Sequence, residues 1–467
     1  MIQQLPFADG RRTVAGLLEK HKLLLLRTAV IFGVLAVSVV VGRRPTILFV
    51  LPIPAVVGAL LLTRYPGLGL PLIVLGGILV PFAIGTGTGS EVNAGMLMIM
   101  AVSGLWILDM VRRRDLRLHA SPVVVPLFAL LIVNILSFIA GQLPWFTTVQ
   151  GASLASQIGG VMLVLLSVLS FLWVGHAITD VRWIERTVWL FLILSALYVV
   201  SILVPNMSRI SHQFYMRGVY TGSLFWTWMM ALAFGQVAFN RKLPRLVRGL
   251  LILFVAATFY YVYVINGDWK SGWIPPLIAV GVVVLLRWPR LSIGVVILSI
   301  FPMIAFVQQI IQTDLYSYST RVDAWVIMAE IIKVNPILGL GPSNYYFYTP
   351  LFPIRGYYVQ FNSHNQYVDI IAQTGLLGMG VFIWFAVTMV ILSWDLTKRA
   401  PEGFPRGYVF GTFGGLVATL VAGMLGDWII PFVYNVGFDG FRASMLAWLF
   451  LGGLLAMDQM WRKPAEE

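Results

Sequence analysis

One histidine and three cationic side chains are the residues in this sequence best suited to chemistry. His364 directly precedes a long apolar segment, and its neutral imidazole could accept a proton from a hydroxyl group. Arg217, Lys270 and Arg321 also stand near the ends of apolar segments, where together they could hold a phosphate-bearing lipid and stabilise a departing pyrophosphate. A single histidine at a helix start is more often structural, and a single cation there is more often an interfacial anchor. The hypothesis therefore depends on all four occurring together.

The composition indicates a membrane protein that would position these residues at helix ends. The chain has 467 residues, of which 59% are hydrophobic and 11% are charged, and its mean hydropathy is +0.87. Soluble domains usually carry about 25% charged residues. Apolar runs long enough to cross a bilayer as helices recur throughout the chain. We predict 14 spans, at 24–42, 46–63, 67–86, 95–111, 122–141, 158–178, 187–204, 222–239, 248–265, 272–287, 291–309, 366–393, 408–425 and 440–458.

The sequence therefore predicts an all-α, polytopic transmembrane bundle of about 12–14 helices. We expect residues 1–467 to form one membrane domain, in which residues 310–365 are a single large external loop. Lysine and arginine concentrate in alternate connections, and this pattern predicts that both termini are cytoplasmic and that His364 faces outward. The net charge of +13 then reflects topology and contact with anionic membrane lipids, and no nucleic-acid partner is expected.

Missing residue types narrow the possible chemistry. The sequence contains no cysteine and no GxxxxGK[ST] phosphate-binding loop. Its aspartates are never two positions apart, so it lacks the Asp-x-Asp pair with which many sugar-nucleotide transferases hold a metal. We therefore predict no cofactor and no metal site, and we expect cationic side chains to neutralise any phosphorylated donor.

The predicted external loop has recognisable local structure. An amphipathic helix is expected over 320–334, and Gly339 and Gly341 predict a tight turn after it. The aromatic run that begins at Tyr345 and Tyr346 could form either an interfacial belt or a platform for sugar rings. Asn365 is placed to cap the helix that follows His364.

Four aspartates could add an acidic group to the site. Asp369 would lie inside the twelfth predicted span, where an ionisable residue suggests function, although it could simply face an aqueous opening. Asp268, Asp427 and Asp439 are weaker candidates, and each could instead pair with a basic neighbour.

Motifs between residues 321 and 378 resemble those of the O-antigen ligase and O-antigen polymerase superfamily. They are Arg321 with Trp325, the turn from Pro336 to Pro342, His364-Asn365, and the run from Thr374 to Gly378. The resemblance implies a metal-independent, inverting glycosyltransferase of the membrane-embedded C-type fold. Such enzymes move a glycan from undecaprenyl pyrophosphate to an acceptor hydroxyl at the external, periplasmic face of the bacterial inner membrane.

The same resemblance implies roles for individual residues. His364 would be the catalytic base or would orient the acceptor, and Arg217, Lys270 and Arg321 would bind the pyrophosphate. Asn365 belongs to the same motif as His364 and is a candidate for substrate binding. Tyr345 and Tyr346 are further candidates because of their aromatic rings rather than because of the resemblance. Lys270 stands where the family more often has an arginine, and 14 spans exceed the dozen that are typical of the ligases.

Several alternatives stay open. The acceptor could be a glycan, the lipid A-core of lipopolysaccharide, or a protein, because ligases, exopolysaccharide polymerases and protein O-oligosaccharyltransferases share these motifs. A polysaccharide transporter would have similar hydropathy, but we would expect inverted repeats and polar residues deep within several spans. A pigment-binding protein would need histidines in the middle of its spans.

Overall fold

The computed structural model describes residues 52–86, 91–116, 118–267, 269–290 and 315–462, together with positions 294 and 308. The predicted span 24–42 and the candidate Asp268 lie outside the described residues, as does the predicted span 291–309 apart from positions 294 and 308. The chain divides into two compact units, residues 1–61 and 62–467. A single membrane domain over the whole chain stays a prediction.

The described residues are almost entirely helical. The α-helices with defined bounds are α1 (Pro52–Arg64), α2 (Gly69–Leu79), α3 (Ala94–Arg113), α4 (Val124–Ala140), α5 (Leu154–Ala177), α6 (Val181–Leu203), α7 (Ser208–Phe214), α8 (Arg217–Tyr220), α9 (Ser223–Phe239), α10 (Arg245–Tyr260), α11 (Lys270–Arg287), α12 (Leu315–Ile332), α13 (Tyr345–Tyr348), α14 (Gln366–Arg399), α15 (Phe404–Leu425) and α16 (Gly437–Trp461). A π-helical turn, Tyr261–Ile265, extends α10, and 3₁₀ turns occupy Pro66–Leu68 and Thr349–Leu351. Strands β1 (Ala83–Gly85) and β2 (Glu91–Asn93) pair antiparallel.

Eight of the described helices are long and apolar enough to cross a membrane, namely α3, α5, α6, α10 with its π turn, α11, α14, α15 and α16. The shorter apolar helices α4 and α9 also match predicted spans. The structure thus confirms a polytopic helical membrane protein. It differs in the described parts of the predicted spans 46–63 and 67–86, where the helices Val56–Arg64 and Pro66–Leu79 form at most one broken span. Pro66 interrupts the apolar run, and α2 has only 11 residues, too few to cross a bilayer.

Close helix packing defines the centre of the bundle. Nearly all residues in the most apolar part of helix α16 are buried, and the helix packs extensively against α5. Helices α9, α11 and α15 form a second tightly packed group. A Cβ atom at Gly235 of α9 would lie 2.5 Å from the Cα of Gly411 of α15. Glycine is therefore required at this crossing, as is common where membrane helices approach closely.

Helix ends meet at two poles of the bundle. At one pole, the buried carboxylate of Asp458 near the end of α16 forms salt bridges with Arg399 at 2.7 Å and Arg462 at 2.8 Å. At the other pole lie the start of α14, the end of α15, and the segments α12 and α13. The described residues that the sequence singled out for chemistry belong to segments at this second pole.

Candidate active site

The two glycine-containing motifs are bound to each other by their backbones. Helix α14 is broken at Gly375, whose φ of +68° is a conformation that L side chains rarely adopt. The break leaves carbonyl groups of α14 without helical partners. The Ala372 carbonyl accepts a hydrogen bond from the Leu340 amide at 2.9 Å, and the Gln373 carbonyl accepts one from the Gly341 amide at 3.0 Å. The predicted tight turn is thus confirmed, and the break in α14 anchors it.

Asn344 extends this anchor to the neighbouring α4–α5 connection. Its fully buried side-chain amide donates to the carbonyls of Gly141 at 3.0 Å and Leu340 at 2.8 Å. Its side-chain oxygen accepts from the Ala152 amide at 2.9 Å. Since all three partners are backbone groups, the position of Asn344 fixes three chain segments relative to one another.

The turn that carries His364 is held in the same way from several sides. His364 itself has a φ of +48°, which is uncommon for a residue other than glycine. The Trp325 indole nitrogen of α12 donates to the Ser363 carbonyl at 2.8 Å. The Asn365 side chain caps α14 by accepting from the Tyr367 and Val368 amides at 3.0 and 3.4 Å, as the sequence predicted. Trp325 and His364, 39 positions apart, are therefore parts of one local structure.

Two buried carboxylates lie beneath this turn. Asp369 is fully buried and accepts hydrogen bonds from the Tyr345 hydroxyl at 2.5 Å and the Ser363 hydroxyl at 2.7 Å. Asp427, in the α15–α16 connection, accepts from the Phe432 amide at 2.8 Å and the Asn435 side-chain amide at 2.7 Å. Both carboxylates are held by neutral donors. Asp427 therefore lacks the basic partner that the sequence suggested as an alternative, and the buried Asp369 does not face an aqueous opening.

Partial removal from water favours the neutral form of His364. This loss of surrounding water is the largest influence and lowers the pKa of His364, although the side chain is still exposed to solvent. The charge of Asp427 raises the pKa of His364, and the charge of Arg321 lowers it by a smaller amount. Burial also raises the pKa of Asp427. Arg321 and Asp427 are therefore both within electrostatic reach of His364, whose imidazole can accept a proton at neutral pH.

A separate aromatic cavity at the same pole is lined in part by the helices that begin at Arg217 and Lys270. Arg217 is exposed at the first position of α8, and Lys270 is half-buried at the first position of α11. Between these helices lies a cavity of about 470 Å³. Its lining includes Tyr198, His212, Tyr220, Thr221, Trp226, Tyr261, Asn266, Trp269, Trp273 and Trp428.

The start of α11 is fixed by a contact that Pro276 makes possible. Pro276 has no amide proton to donate to the Gly272 carbonyl within the helix. The Ser223 hydroxyl at the start of α9 donates to that carbonyl instead, at 3.0 Å. Lys270 is thereby held beside the aromatic cavity, and the predicted 272–287 span is confirmed as a helix that contains both prolines.

The connection between α15 and α16 joins the aromatic cavity to the His364 turn. Trp428 packs edge-on against Trp269 with ring centroids 5.9 Å apart, and it directly follows Asp427. Gln366, the first residue of α14, accepts hydrogen bonds from the Ile429 and Ile430 amides at 3.1 and 2.9 Å. This connection therefore lies between the two groups of predicted site residues.

Some predicted site residues have different surroundings from those expected. Tyr345 is fully buried, stacked on Phe432 at 4.8 Å, so its ring cannot be an open platform for sugars. Its burial and the neighbouring Asp369 raise the pKa of its hydroxyl well above the usual value. Tyr346 is half-buried and stacks on Tyr434 at 4.9 Å. Asp439 forms a salt bridge with Arg442 at 3.0 Å, which is the pairing with a basic neighbour that the sequence offered as its alternative role.

Sequence reasoning ranked Asp427 low and did not single out Gln366 or Trp428. These residues belong to no motif, and Asp427 lies 63 positions from His364 in the chain. The sequence feature that could have identified Asp427 is its position as an acidic residue in the connection between two predicted spans. Among the residues that the structure describes, no three histidine, aspartate or glutamate side chains are grouped so as to hold a metal ion.

Comparison with known families assigns part of the chain. Residues 221–383 match the family described as O-antigen ligase. The matched region contains Lys270, Arg321, the glycine turn and His364, whereas Arg217 and Asp427 lie outside it. The family predicted from the motifs is therefore confirmed. No curated protein matches the chain.

Proposed function

We propose a donor and a mechanism for this membrane protein, whose match to the O-antigen ligase family over residues 221–383 supports a glycan-transferring kind of function. The donor is a glycan linked to undecaprenyl pyrophosphate, and the acceptor is a hydroxyl group at the external face of the bacterial inner membrane. The observation that carries this proposal is the rigidly held His364, placed beside Arg321 and Asp427 by contacts from Trp325 and Asn365.

The proposed reaction is a direct displacement with inversion at the anomeric carbon. The acceptor oxygen forms the new glycosidic bond while the bond from the anomeric carbon to the pyrophosphate oxygen breaks. The bonding electron pair leaves with undecaprenyl pyrophosphate, and the acceptor proton passes to the His364 imidazole and then to solvent. Fixed cations at the departing group stabilise the charge that develops on it.

The cations have separable roles in this mechanism. Arg321 lies close enough to His364 to lower its pKa, so it would contact the pyrophosphate at the reacting end. Arg217 and Lys270 begin helices that contribute Tyr220 and Trp273 to the aromatic cavity, where the aromatic rings offer an apolar surface to the first prenyl units. Lysine acts as a point charge rather than a planar fork, so Lys270 would attract the pyrophosphate without fixing its orientation.

Reconstitution tests the proposal directly. We expect purified protein in lipid nanodiscs, given an undecaprenyl-pyrophosphate-linked glycan and an acceptor saccharide, to release one undecaprenyl pyrophosphate for each glycosidic bond formed. Nuclear magnetic resonance of the product should show the inverted anomeric configuration. Product with retained configuration, or glycan transfer without release of the lipid pyrophosphate, would contradict the mechanism.

A further inference from the structure

A second cavity lies on the other side of the α15–α16 connection. It is a cleft of about 930 Å³ between the α4–α5 connection and helix α13, and its volume is typical of ligand-binding clefts, which measure about 300–1,000 Å³. Tyr434 forms part of its wall, whereas Trp428 of the same connection lines the aromatic cavity. The two cavities share no lining residue. They are thus separate sites joined by one segment of chain.

The cleft has the surface chemistry of a site for a neutral sugar chain. None of its described lining residues is charged. Phe146, Phe347, Tyr348 and Tyr434 supply aromatic surface, and Gln150 supplies an amide that can both donate and accept hydrogen bonds. Aromatic faces pack against the C–H faces of sugar rings, while amides and hydroxyls pair with sugar hydroxyls. A phosphate or a charged peptide would find no countercharge among these residues.

The walls of the cleft are fixed in place without a ligand. Tyr434 stacks on Tyr346 at 4.9 Å, and Phe146 packs against Tyr348 at 4.6 Å. On the floor, the Gln142 amide donates to the Gln157 side-chain oxygen at 2.7 Å. Because little ordering is left to occur on binding, a ligand would lose little affinity to the entropy of organising the site.

One segment of chain connects the wall of the cleft to the proposed reacting centre. Tyr434 is followed by Asn435, whose side chain donates to Asp427 at 2.7 Å. Asp427 in turn acts electrostatically on His364. The helices that begin at Arg217 and Lys270 contribute Tyr220 and Trp273 to the wall of the aromatic cavity. We therefore assign that cavity to the anionic donor, and the cleft is left for the second substrate.

We propose that this cleft binds the acceptor as a neutral saccharide chain and directs its terminal hydroxyl toward His364. This inference rests on the proposed function, which requires two glycan-bearing substrates at one centre. It assigns acceptor recognition to Tyr434 and Gln150, which lie outside the motifs of the family.

Binding of an uncharged oligosaccharide to the full-length protein tests the assignment without turnover. The ligand is the uncharged oligosaccharide that serves as acceptor in the transfer assay, and its affinity is measured by calorimetry with the protein in nanodiscs. We expect Tyr434→Ala and Gln150→Ala each to weaken binding by about tenfold or more, equivalent to roughly 1.4 kcal/mol. Tyr434→Phe should bind as wild type because it keeps the aromatic face. Tyr260→Ala, which changes an exposed tyrosine outside both cavities, is the matched control.

Kinetics separate this inference from the proposed function. With glycan transfer as the readout, Tyr434→Ala should raise KM for the acceptor while KM for the lipid-linked donor stays unchanged. His364→Ala should lose transfer but bind the oligosaccharide normally. The binding measurement therefore tests the cleft even if the proposed mechanism is wrong. The cleft assignment is overturned if wild type does not bind the oligosaccharide, if both alanine variants bind it as wild type does, or if inorganic pyrophosphate displaces it.

Discussion

At the scale of single residues, the account depends on the surroundings of one imidazole. The residue types Arg321, His364 and Asn365 are visible in the sequence because they belong to motifs, and the cap made by Asn365 follows from its position before an apolar run. The contribution of Asp427 is not visible, because the fold brings it to His364 from a connection that contains no motif. Charge neighbours of this kind are set by tertiary structure, which local patterns do not encode.

The lowered pKa of His364 leads to a prediction about pH. A general base acts when unprotonated, so we expect the transfer rate to rise with pH through a midpoint below about 6.5 and then to level off. Arg321→Gln removes a positive charge that lowers this pKa, so the midpoint should move upward even though the overall rate also falls. Arg321→Lys keeps the charge and should leave the midpoint in place. The measurement is the normalised pH–rate profile of each variant, and a midpoint that is unaffected by Arg321→Gln would argue against His364 as the titrating group.

At the scale of secondary-structure elements, the structure explains why two glycine motifs occur together. The sequence predicts the turn at Gly339 and Gly341 and the start of α14, but it does not show that the turn binds the break at Gly375. A periodic apolar pattern continues through that break, so hydropathy indicates an unbroken helix. Only the pairing of backbone amides with carbonyls across the two segments reveals the interruption.

A pair of glycine substitutions in α14 tests this pairing. A Cβ atom at Gly375 would lie 2.1 Å from the Ile337 carbonyl oxygen, and the backbone conformation alone should cost about 1–3 kcal/mol in a residue with a side chain. We therefore expect Gly375→Ala to lower the thermal unfolding midpoint and to reduce transfer. Gly380→Ala, five residues on in a position with open space, should instead raise stability by about 0.5–1 kcal/mol through helix propensity. Equal midpoints for the two variants in nanodiscs would show that the break at Gly375 is not required.

At the scale of the whole molecule, composition and hydropathy determine most of what is observed. They predict a helical membrane bundle and the positions of most described helices, including α11 with its two prolines. They do not predict that the run around Pro66 is broken, since hydropathy averages over a single helix-breaking residue. They also do not predict the two cavities, whose walls come from segments as far apart as residues 141 and 434.

The absence of cysteine from the sequence makes the proposed topology easy to measure. Tyr358, 69% exposed, and Pro401, also exposed, flank the two ends of α14, which at 34 residues is long enough to cross a bilayer. In intact spheroplasts, we expect a membrane-impermeant maleimide to label Tyr358→Cys but not Pro401→Cys. After permeabilisation, both should react. Labelling of Pro401→Cys in intact cells would place His364 on the cytoplasmic side and contradict an external active face.

The central claim is that His364 takes the acceptor proton during glycan transfer, and one comparison tests it most directly. His364→Ala and His119→Ala each remove one histidine, but His119 lies at the opposite pole, near Asp458. Both variants are purified and must have the same thermal unfolding midpoint. Transfer from the lipid-linked glycan should then fall by at least about 100-fold in His364→Ala, as expected for loss of a general base. His119→Ala should transfer at nearly the wild-type rate. Wild-type activity in folded His364→Ala would contradict the account.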